Sequence, residues 1–310
     1  MREIIINKVK HSFMGPVFYK LKNYNKKPRT MLPLEQRIAI NMDTYEKSMG
    51  YRFDLNMPKT FTEKKQWYKM YYSEDLWMLV DKVAFKQYIK EKIGDGYTIP
   101  LYGAWNTVDG LKEAWASLPE EFVLKSNASD NGRNIIFVHN KSKTRFSDIK
   151  RDVYTWLNPM QTLNDSNCIA YKKVIPQILA EEYKSNFKNQ LYDYKFFCFN
   201  GKPYCMYVAI EHFDKTDDYP ITFYDLNWKR MDVSYGSHGT TDIPRPIHFD
   251  EMKILAEKLS EGFPFLRVDF FDTEEKLYLA ELTLYPGGGF TPYRPESFNE
   301  ELGKLFNVPM

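Results

Sequence analysis

Three charged residues interrupt a stretch that otherwise has the pattern of a β-hairpin. The segment FLRVDFFDTEEKLYLAELTLYPGGGF, residues 265–290, has two apolar runs around a polar turn, yet contains Arg267, Asp269 and Glu281. Alternate strand residues share a face, and the turn can bring Asp269 beside Glu281, where the carboxylates would repel each other. Arg267 supplies one compensating charge, and Mg²⁺, which takes carboxylate oxygens together with substrate phosphates, is the natural second. A surface hairpin with a solvated charged face remains the simpler alternative.

A lysine at the end of an apolar strand is a second polar feature. Lys125 in FVLKSN precedes a loop of small polar residues, SNASDNG, at positions 126–132. Such a loop can point backbone N–H groups at phosphates, and the lysine adds a point charge. An ordinary hairpin loop beside a lysine whose stem covers apolar surface explains the same pattern, so both interpretations stay open.

Two further strands carry charged residues at one end. In ILAEEY, an apolar strand runs into Glu181 and Glu182, where a backbone edge could bind adenine and an acid could bind ribose hydroxyls. In YDYKFFCFNGKP, Asp193 and Lys195 share one face before an apolar run, which suggests a polar site at a sheet edge. The alternatives are a strand leaving the core and a surface ion pair worth at most about 1 kcal/mol.

The sequence around these residues predicts both helices and strands. The chain up to residue 75 is predicted to be mostly helical, with Thr62 as a helix N-cap, and residues 76–94 predict one helix ended by Gly94. From residue 121 the apolar period changes to two, and Asn200-Gly201 is the strongest hairpin signal. The pattern predicts an α+β chain with mainly antiparallel strands.

Bulk composition narrows the class of protein. The chain of 310 residues is 43% hydrophobic, and its 43 basic residues nearly balance 41 acidic ones, which argues against a nucleic-acid binder. Three cysteines without a CxxC pair suit a reducing cytoplasm, and no apolar run approaches the roughly 18–20 residues that span a bilayer. The basic N-terminal 27 residues predict a helix docked on the protein or, alternatively, one that touches a membrane surface.

The order of these charged and apolar segments along the chain resembles the ATP-grasp superfamily. Their amino-acid sequences are similar to those of its TupA-like branch, named for teichuronopeptide biosynthesis. The resemblance runs from about residue 56 to the C-terminus. Its segments are PKTFTEKKQWYK, DKVAFKQYIKEKIG, FVLKSN, ILAEEY, DYKFFCFNGKP, FYDLNW, FPFLRVDFF and AELTLYPGGGF.

The resemblance implies an ATP-grasp fold, in which two α+β subdomains with mainly antiparallel sheets clasp ATP behind a helical N-terminal region. The expected boundaries are a helical region at 1–75, a helix and strand segment at 76–120, and subdomains at 121–182 and 183–310. It also implies a ligase that phosphorylates a carboxylate with ATP and then joins it to an amine. The implied cofactors are ATP and Mg²⁺.

The resemblance also implies roles for individual residues. Asp269 and Glu281 would hold Mg²⁺, with Thr283 standing where most relatives have an Asn metal ligand. Arg267 would neutralise the acylphosphate and the tetrahedral intermediate, and Lys195 would face the γ-phosphate. Because Thr is a weaker neutral ligand than Asn, the number of metal ions stays open.

The nucleotide would be held by a second set of residues. Lys125 and, with less support, Lys82 would contact phosphates; Glu181 and Glu182 would lie at the adenine hinge; and Asp193 would face the ribose or phosphates. The loop expected to cover the triphosphate contains Ser126, Asn127, Ser129, Asn131 and Gly132. Many relatives carry an Arg after the DxK hairpin, where the nearest basic residue in this chain is His212.

The branch is associated with bacterial capsular and surface polysaccharides, which implies amide formation between a uronic acid and an amino acid or small amine in the cytoplasm. Peripheral contact with membrane-associated polysaccharide machinery is expected, and no nucleic-acid partner is. Two alternatives remain: an ATP-grasp kinase acting on a sugar or alcohol hydroxyl, and a nucleotide-binding scaffold without turnover. The aromatic segment FYDLNWKRM, residues 223–231, fits either a sugar-binding surface or the core.

Overall fold

The structure is a computed structural model that describes residues 28–128, 134–158, 167–184, 191–211, 221–236, 242–273 and 275–309. The expected phosphate-loop residues Ser129, Asn131 and Gly132, the N-terminal 27 residues and His212 lie outside these ranges. Within them, no helix combines the length and the apolar character that crossing a bilayer requires.

The described chain alternates helices and antiparallel strands. The α-helices are α1 (Leu34–Met49), α2 (Phe61–Tyr71), α3 (Trp77–Val80), α4 (Lys82–Ile93), α5 (Val108–Ala114), α6 (Phe146–Trp156), α7 (Phe249–Ser260) and α8 (Glu296–Leu305). The strands are β1 (Leu101–Trp105), β2 (Phe122–Ser126), β3 (Ile135–Val138), β4 (Ile178–Glu182), β5 (Leu191–Phe199), β6 (Lys202–Glu211), β7 (Ile221–Asp225), β8 (Arg230–Met231), β9 (Ser234–Tyr235), β10 (Phe265–Asp272), β11 (Leu277–Thr283) and β12 (Tyr293–Arg294). Short 3₁₀ turns lie at Arg29–Met31, Glu74–Leu76, Trp115–Ser117, Lys141–Lys143, Ile169–Lys173 and Pro286–Gly289.

One compact unit comprises Leu101–Tyr183 together with the described residues before Leu34. Its four-stranded sheet has the order β1-β4-β2-β3, and every pair is antiparallel. The side chains of Phe122 and Leu124 on one face pack with Val153 of α6 in a continuous apolar core. Because strand residues alternate, Lys125 falls on the opposite face.

The other unit comprises Leu34–Pro100 and Lys184–Met310. It holds a six-stranded antiparallel sheet in the order β11-β10-β5-β6-β7-β8 and a two-stranded sheet of β12 and β9. Helix α7 covers one face of the larger sheet, where the rings of Phe249 and Phe196 are 5.9 Å apart. The α+β class with antiparallel sheets is confirmed, whereas the four expected segment boundaries stay a prediction.

The predicted hairpin at Asn200-Gly201 is present. Phe199 pairs with Lys202, and Asn200 and Gly201 form a two-residue turn with φ of 50° and 78°. Positive φ at both central positions is the geometry that favours Asn-Gly, and it fixes the start of the β5–β6 ladder. The aromatic segment that follows belongs partly to the core, because Phe223 and Tyr224 are buried.

The predicted single helix over residues 76–94 is wrong, because Asp81 divides it. Asp81 has extended backbone angles, and its carboxylate accepts hydrogen bonds from the backbone N–H groups of Val83 and Ala84. An aspartate that caps the following turn starts a new helix, so α3 ends at Val80 and α4 begins at Lys82. Gly94 follows the end of α4, as predicted.

The predicted N-cap of α2 is also wrong, because Thr60 and not Thr62 occupies that position. The Thr60 hydroxyl accepts from the backbone N–H of Glu63, and the Glu63 carboxylate accepts from the backbone N–H of Thr60, forming a capping box. Thr62 is already inside the helix, where Asn299 binds its hydroxyl.

Thr60→Ala should lower the free energy of unfolding by about 1 kcal/mol, because the N–H of Glu63 loses its acceptor. Thr60→Ser, which keeps the hydroxyl, should stay close to the wild type in a urea titration. Equal stabilities for the alanine and serine variants would contradict the assigned cap.

Candidate active site

One face of the six-stranded sheet changes from aromatic to charged along the strands. The pairing of β10 with β5 sets Phe265 opposite Phe199, Arg267 opposite Phe197, and Asp269 opposite Lys195. Phe61 of α2 covers the aromatic end, with its ring 4.8 Å from that of Phe265. The charged end begins at Arg267, so the charges in this hairpin lie on the same face as a buried aromatic core.

Asp269 is the centre of the charged end. Arg267 donates from Nε to Asp269 Oδ1 at 2.7 Å and from Nη2 to Oδ2 at 2.6 Å, in a two-point arrangement. Lys195 Nζ donates to Asp269 Oδ2 at 2.8 Å and also contacts Asp193. Arg267 and Asp269 are buried, so the solvated-face alternative for this hairpin is wrong.

For each of these three charged groups, neighbouring opposite charges shift the pKa more than burial does. Burial lowers the pKa of Arg267, but Asp269 raises it, and the pKa ends well above its ordinary value. Burial raises the pKa of Asp269, but Arg267 and Lys195 bring it below its ordinary value. Burial likewise lowers the pKa of Lys195, and Asp193 and Asp269 raise it above the usual range. The three groups therefore remain charged at neutral pH.

The predicted metal ligands lie side by side on β10 and β11. Asp269 pairs with Glu281, and Arg267 pairs with Thr283, whose hydroxyl accepts from Arg267 Nη2 at 2.9 Å. Glu281 is 55% exposed and its Oε2 lies 3.9 Å from Arg267, whereas Asp269 is fully buried. The two predicted ligands therefore differ in environment although they are neighbours in register.

The oxygen atoms present fit a magnesium ion completed by phosphates. Asp269 accepts three hydrogen bonds from Arg267 and Lys195, which leaves about one of its roughly four lone-pair positions. Glu281 offers a half-exposed carboxylate beside it. Among the described residues, no three His, Cys, Asp or Glu side chains form a metal-binding group. Mg²⁺ commonly binds one or two carboxylates and takes its other ligands from water and phosphates.

Tyr207 is a member of this cluster that the sequence patterns did not identify. Its hydroxyl accepts from Arg267 Nη1 at 3.1 Å, and it pairs with Lys195 across β5 and β6. A regular two-residue hairpin at Asn200-Gly201 would set Lys195 opposite Met206. An irregularity between Phe197 and Cys198 shifts the register by one, which turns the tyrosine onto the charged face.

The first unit brings together two other predicted residues. Lys125 on β2 and Glu181 on the neighbouring β4 form an ion pair with Nζ 2.7 Å from Oε2. Val123 pairs with Glu181 and Lys125 with Leu179, so the two charges are diagonal neighbours on the sheet face opposite the apolar core.

Two predicted loop residues use their polar groups within the first unit. The Asn127 side chain donates to the backbone carbonyl of Ile175 at 3.0 Å and accepts from the N–H of Gln177 at 2.8 Å. Ser126 is buried, and its hydroxyl accepts from the N–H of Ala128 at 3.4 Å. These bonds fix the start of the loop, and a phosphate contact by either side chain stays a prediction.

Two further predicted residues belong to different units. Glu182 is partly buried at the end of β4, and Lys82 is partly buried at the start of α4 in the other unit. The nucleotide-binding roles of Lys82, Glu182 and Asp193 stay predictions.

Lys125→Met should weaken ADP binding about tenfold, a loss of about 1.4 kcal/mol, because a phosphate would lose its point charge. Lys125→Arg keeps the charge and serves as the matched control in isothermal titration. Unchanged ADP affinity in Lys125→Met would mean that this lysine serves only to neutralise Glu181.

A known protein family matches the part of the sequence that contains the strands carrying these side chains. Residues 63–307, most of the chain, match the model of the TupA-like ATP-grasp family. The chain belongs to the TupA-like ATP-grasp family. Its fold is therefore the ATP-grasp fold, and the motifs FVLKSN, DYKFFCFNGKP and FLRVDFF all fall inside the matched region.

Solved structures similar to this TupA-like ATP-grasp chain are distant in sequence. The chain is similar to N5-carboxyaminoimidazole synthetase of Staphylococcus aureus complexed with ADP, at 14% identity and a TM-score of 0.40, over 69% of this chain and 46% of that chain. It is also similar to D-alanine-D-alanine ligase of Helicobacter pylori, at 14% identity and a TM-score of 0.42, over 74% of this chain and 62% of that chain. A third similar structure is phosphoribosylamine–glycine ligase of Thermotoga maritima, at 14% identity and a TM-score of 0.40, over 67% of this chain and 48% of that chain. This chain thus spans about half to three fifths of the length of these structures. No curated protein matches the chain.

Proposed function

We propose that the protein is an ATP-dependent ligase that joins a carboxylate to an amine. The observation that carries the proposal is the buried, two-point Arg267–Asp269 pair, with Lys195 on one side and the exposed Glu281 on the other. This arrangement presents fixed positive charge beside a carboxylate pair suited to Mg²⁺, in a chain of the TupA-like ATP-grasp family.

The proposed reaction has two steps. A carboxylate oxygen of the first substrate attacks the γ-phosphorus of ATP, the bond to the bridging oxygen breaks, and ADP leaves with that electron pair. The resulting acylphosphate is attacked at its acyl carbon by a neutral amine. The carbon–oxygen bond then breaks, phosphate leaves with the former carboxylate oxygen, and the nitrogen loses a proton. Phosphorylation is needed because phosphate is a far better leaving group than oxide.

The protein contributes charge and position. The Arg267 guanidinium is held by Asp269 and by the hydroxyls of Thr283 and Tyr207, so its N–H groups are fixed before charge develops on a reacting oxygen. Lys195 is fixed in the same way and would hold the γ-phosphate. Mg²⁺ held by Asp269 and Glu281 would neutralise phosphate charge.

We further propose that the carboxylate belongs to a uronic acid of a bacterial capsular or surface polysaccharide and that the amine is an amino acid or small amine. Family membership supports this substrate class. The acceptor would be a nucleotide sugar, a lipid-linked glycan or a polymer, modified in the cytoplasm, where ATP is available. Peripheral contact with the membrane-associated polysaccharide machinery is part of the same proposal.

A product assay tests the ligase proposal. Purified protein with MgATP would be given uronic acids and amines in combination, while ADP, phosphate and product mass are followed. We expect ADP and phosphate to be released only when both substrates are present, together with a product of amide mass. ADP without free phosphate, together with a phosphorylated sugar, would instead identify a kinase.

A further inference from the structure

The Thr283 side chain binds Arg267 at the end of β11. Thr283 is the last residue of this strand and pairs with Arg267 of β10. Arg267 Nη2 donates to the Thr283 hydroxyl oxygen at 2.9 Å, and the same nitrogen donates to Asp269 Oδ2 at 2.6 Å. A hydroxyl oxygen has two acceptor positions, so a guanidinium already occupies one of those that Thr283 could offer to a metal ion.

The charged side chains around Asp269 nearly balance one another. Arg267 binds the Asp269 carboxylate at two points. Lys195 contacts the carboxylates of both Asp193 and Asp269. Glu281 is a third carboxylate, half-exposed, with its Oε2 3.9 Å from Arg267 Nη2. Two cations against three carboxylates leave one negative charge in this group, and Glu281 is the member that presents it to solvent.

A metal ion on the Thr283 oxygen would share that oxygen with a guanidinium. Where Asp269 lies between two cations, its negative charge attracts each of them. The threonine hydroxyl is neutral, so it has no negative charge to offset the repulsion between Mg²⁺ and Arg267. Mg²⁺ also gives up its bound water reluctantly, and in proteins it is usually bound through carboxylates and phosphates. Thr283 is therefore an unfavourable metal ligand while it binds Arg267.

A buried lysine lies near this end of β11. Lys65 of α2 is fully buried, and its Nζ donates to the backbone carbonyl of Pro286, in the turn that follows Thr283. Burial, together with the positive charges of Arg267 and Lys69, lowers the pKa of Lys65 well below its ordinary value. The positive potential of Arg267 therefore reaches the turn after β11, where it opposes the binding of a further cation.

We propose that Thr283 is a positioning residue for Arg267 rather than a metal ligand, and that the site holds one Mg²⁺, bound by Asp269 and Glu281 together with nucleotide phosphates. This inference rests on the proposed ligase function, and it answers how many metal ions the site takes. The charge of Glu281 attracts the ion, while the threonine hydroxyl holds the guanidinium that acts on the reacting oxygen.

The strand pair itself does not require the Thr283 hydroxyl. Valine has the same branched shape as threonine and is equally suited to a strand, so β10 and β11 would pair with valine at this position. What the hydroxyl adds is orientation of the arginine. Thr283 binds Nη2 of Arg267, and the Tyr207 hydroxyl accepts from Nη1 at 3.1 Å. The two hydroxyls thus fix both terminal nitrogens of the guanidinium.

Counting bound manganese tests the number of metal ions. Mn²⁺, which takes the same oxygen ligands as Mg²⁺, would be titrated into an equimolar mixture of protein and a non-hydrolysable ATP analogue, while free Mn²⁺ is followed by EPR. We expect one bound Mn²⁺ per protein–nucleotide complex, without the spin coupling of two neighbouring ions, in the wild type, Thr283→Val and Thr283→Ser. Glu281→Gln is the positive control, since losing a proposed ligand should weaken Mn²⁺ binding by about tenfold or more.

Turnover separates the orientation of Arg267 from metal binding. Thr283→Val should reduce kcat by about tenfold, the loss expected when a hydrogen bond to a charged group is removed, while ADP affinity stays within about twofold. Thr283→Ser keeps the hydroxyl and should retain kcat within about threefold of the wild type. Serine lacks the branched side chain that favours strands, so a purely structural role would rank the two variants in the opposite order.

Two bound Mn²⁺ ions in the wild type, or loss of Mn²⁺ affinity in Thr283→Val, would overturn the single-ion site. Equal kcat in Thr283→Val and the wild type would overturn the positioning role. If Thr283→Val does not fold, Thr283→Ala, which also lacks the hydroxyl, takes its place.

The product assay separates this inference from the ligase proposal on which it rests. If two ions bind while the amide product still forms, only the assignment of Thr283 is wrong. If neither nucleotide-dependent Mn²⁺ binding nor amide formation is found, the result counts against the ligase itself.

Discussion

Asp269→Asn should lower the free energy of unfolding by about 3–5 kcal/mol, whereas Glu281→Gln should change it by less than about 0.5 kcal/mol. Asn cannot balance the charge of Arg267, which would remain buried without the carboxylate that now binds it at two points, and Lys195 would keep only Asp193. Glu281 is half-exposed and its Oε2 lies 3.9 Å from Arg267 Nη2, so water replaces the carboxylate at little cost.

Both variants should nevertheless lose nearly all ligase turnover, because both residues are proposed Mg²⁺ ligands. Chemical denaturation compared with kcat at saturating MgATP separates stability from activity. Equal stabilities for the two variants would contradict the buried ion-pair network, and near wild-type turnover in Glu281→Gln would contradict the metal assignment.

Arg267→Lys should reduce kcat by roughly 100–1000-fold while leaving ADP affinity within a few-fold, the effect expected from losing a preorganised donor to a developing oxyanion. A lysine keeps one positive charge beside Asp269, but it cannot reproduce the two-point contact or simultaneously reach Tyr207 and Thr283. The fold should survive because Asp269 retains two cations.

The matched control for this prediction is Tyr207→Phe, which removes one hydrogen bond to Arg267 and leaves the charge network intact. Its kcat should fall by about tenfold or less. If Arg267→Lys weakened ADP binding as strongly as it slowed turnover, the arginine would serve nucleotide binding rather than the acyl-transfer step.

The local part of the site could be predicted from sequence. Period-two patterning put Arg267 and Asp269 on one strand face. Glu281 lies opposite Asp269 as predicted, but through a register shift between Asp269 and Phe270, because regular pairing from the turn would set Asp269 opposite Ala280. The Asn-Gly turn likewise identified the β5–β6 hairpin. The shared strand face and the Asn-Gly hairpin depend on residues close together in the chain, where side-chain alternation and turn geometry are sufficient.

Contacts between distant segments could not be predicted in this way. The Lys195–Asp269 pair exists because β5 lies next to β10, and no local pattern encodes that neighbour. Tyr207 reaches the charged face only through a register shift. Lys65 and Lys69 would be assigned to the solvent side of α2 by their polarity, yet tertiary packing buries both.

The most direct test of the account is the fate of the carboxylate oxygen. A carboxylate substrate found in the product assay would be labelled with heavy oxygen and turned over with unlabelled ATP, and the released phosphate would be analysed by mass spectrometry. If an acylphosphate forms, each phosphate should carry one oxygen atom from the carboxylate. Unlabelled phosphate, with the amide product formed at the normal rate, would contradict carboxylate activation by ATP.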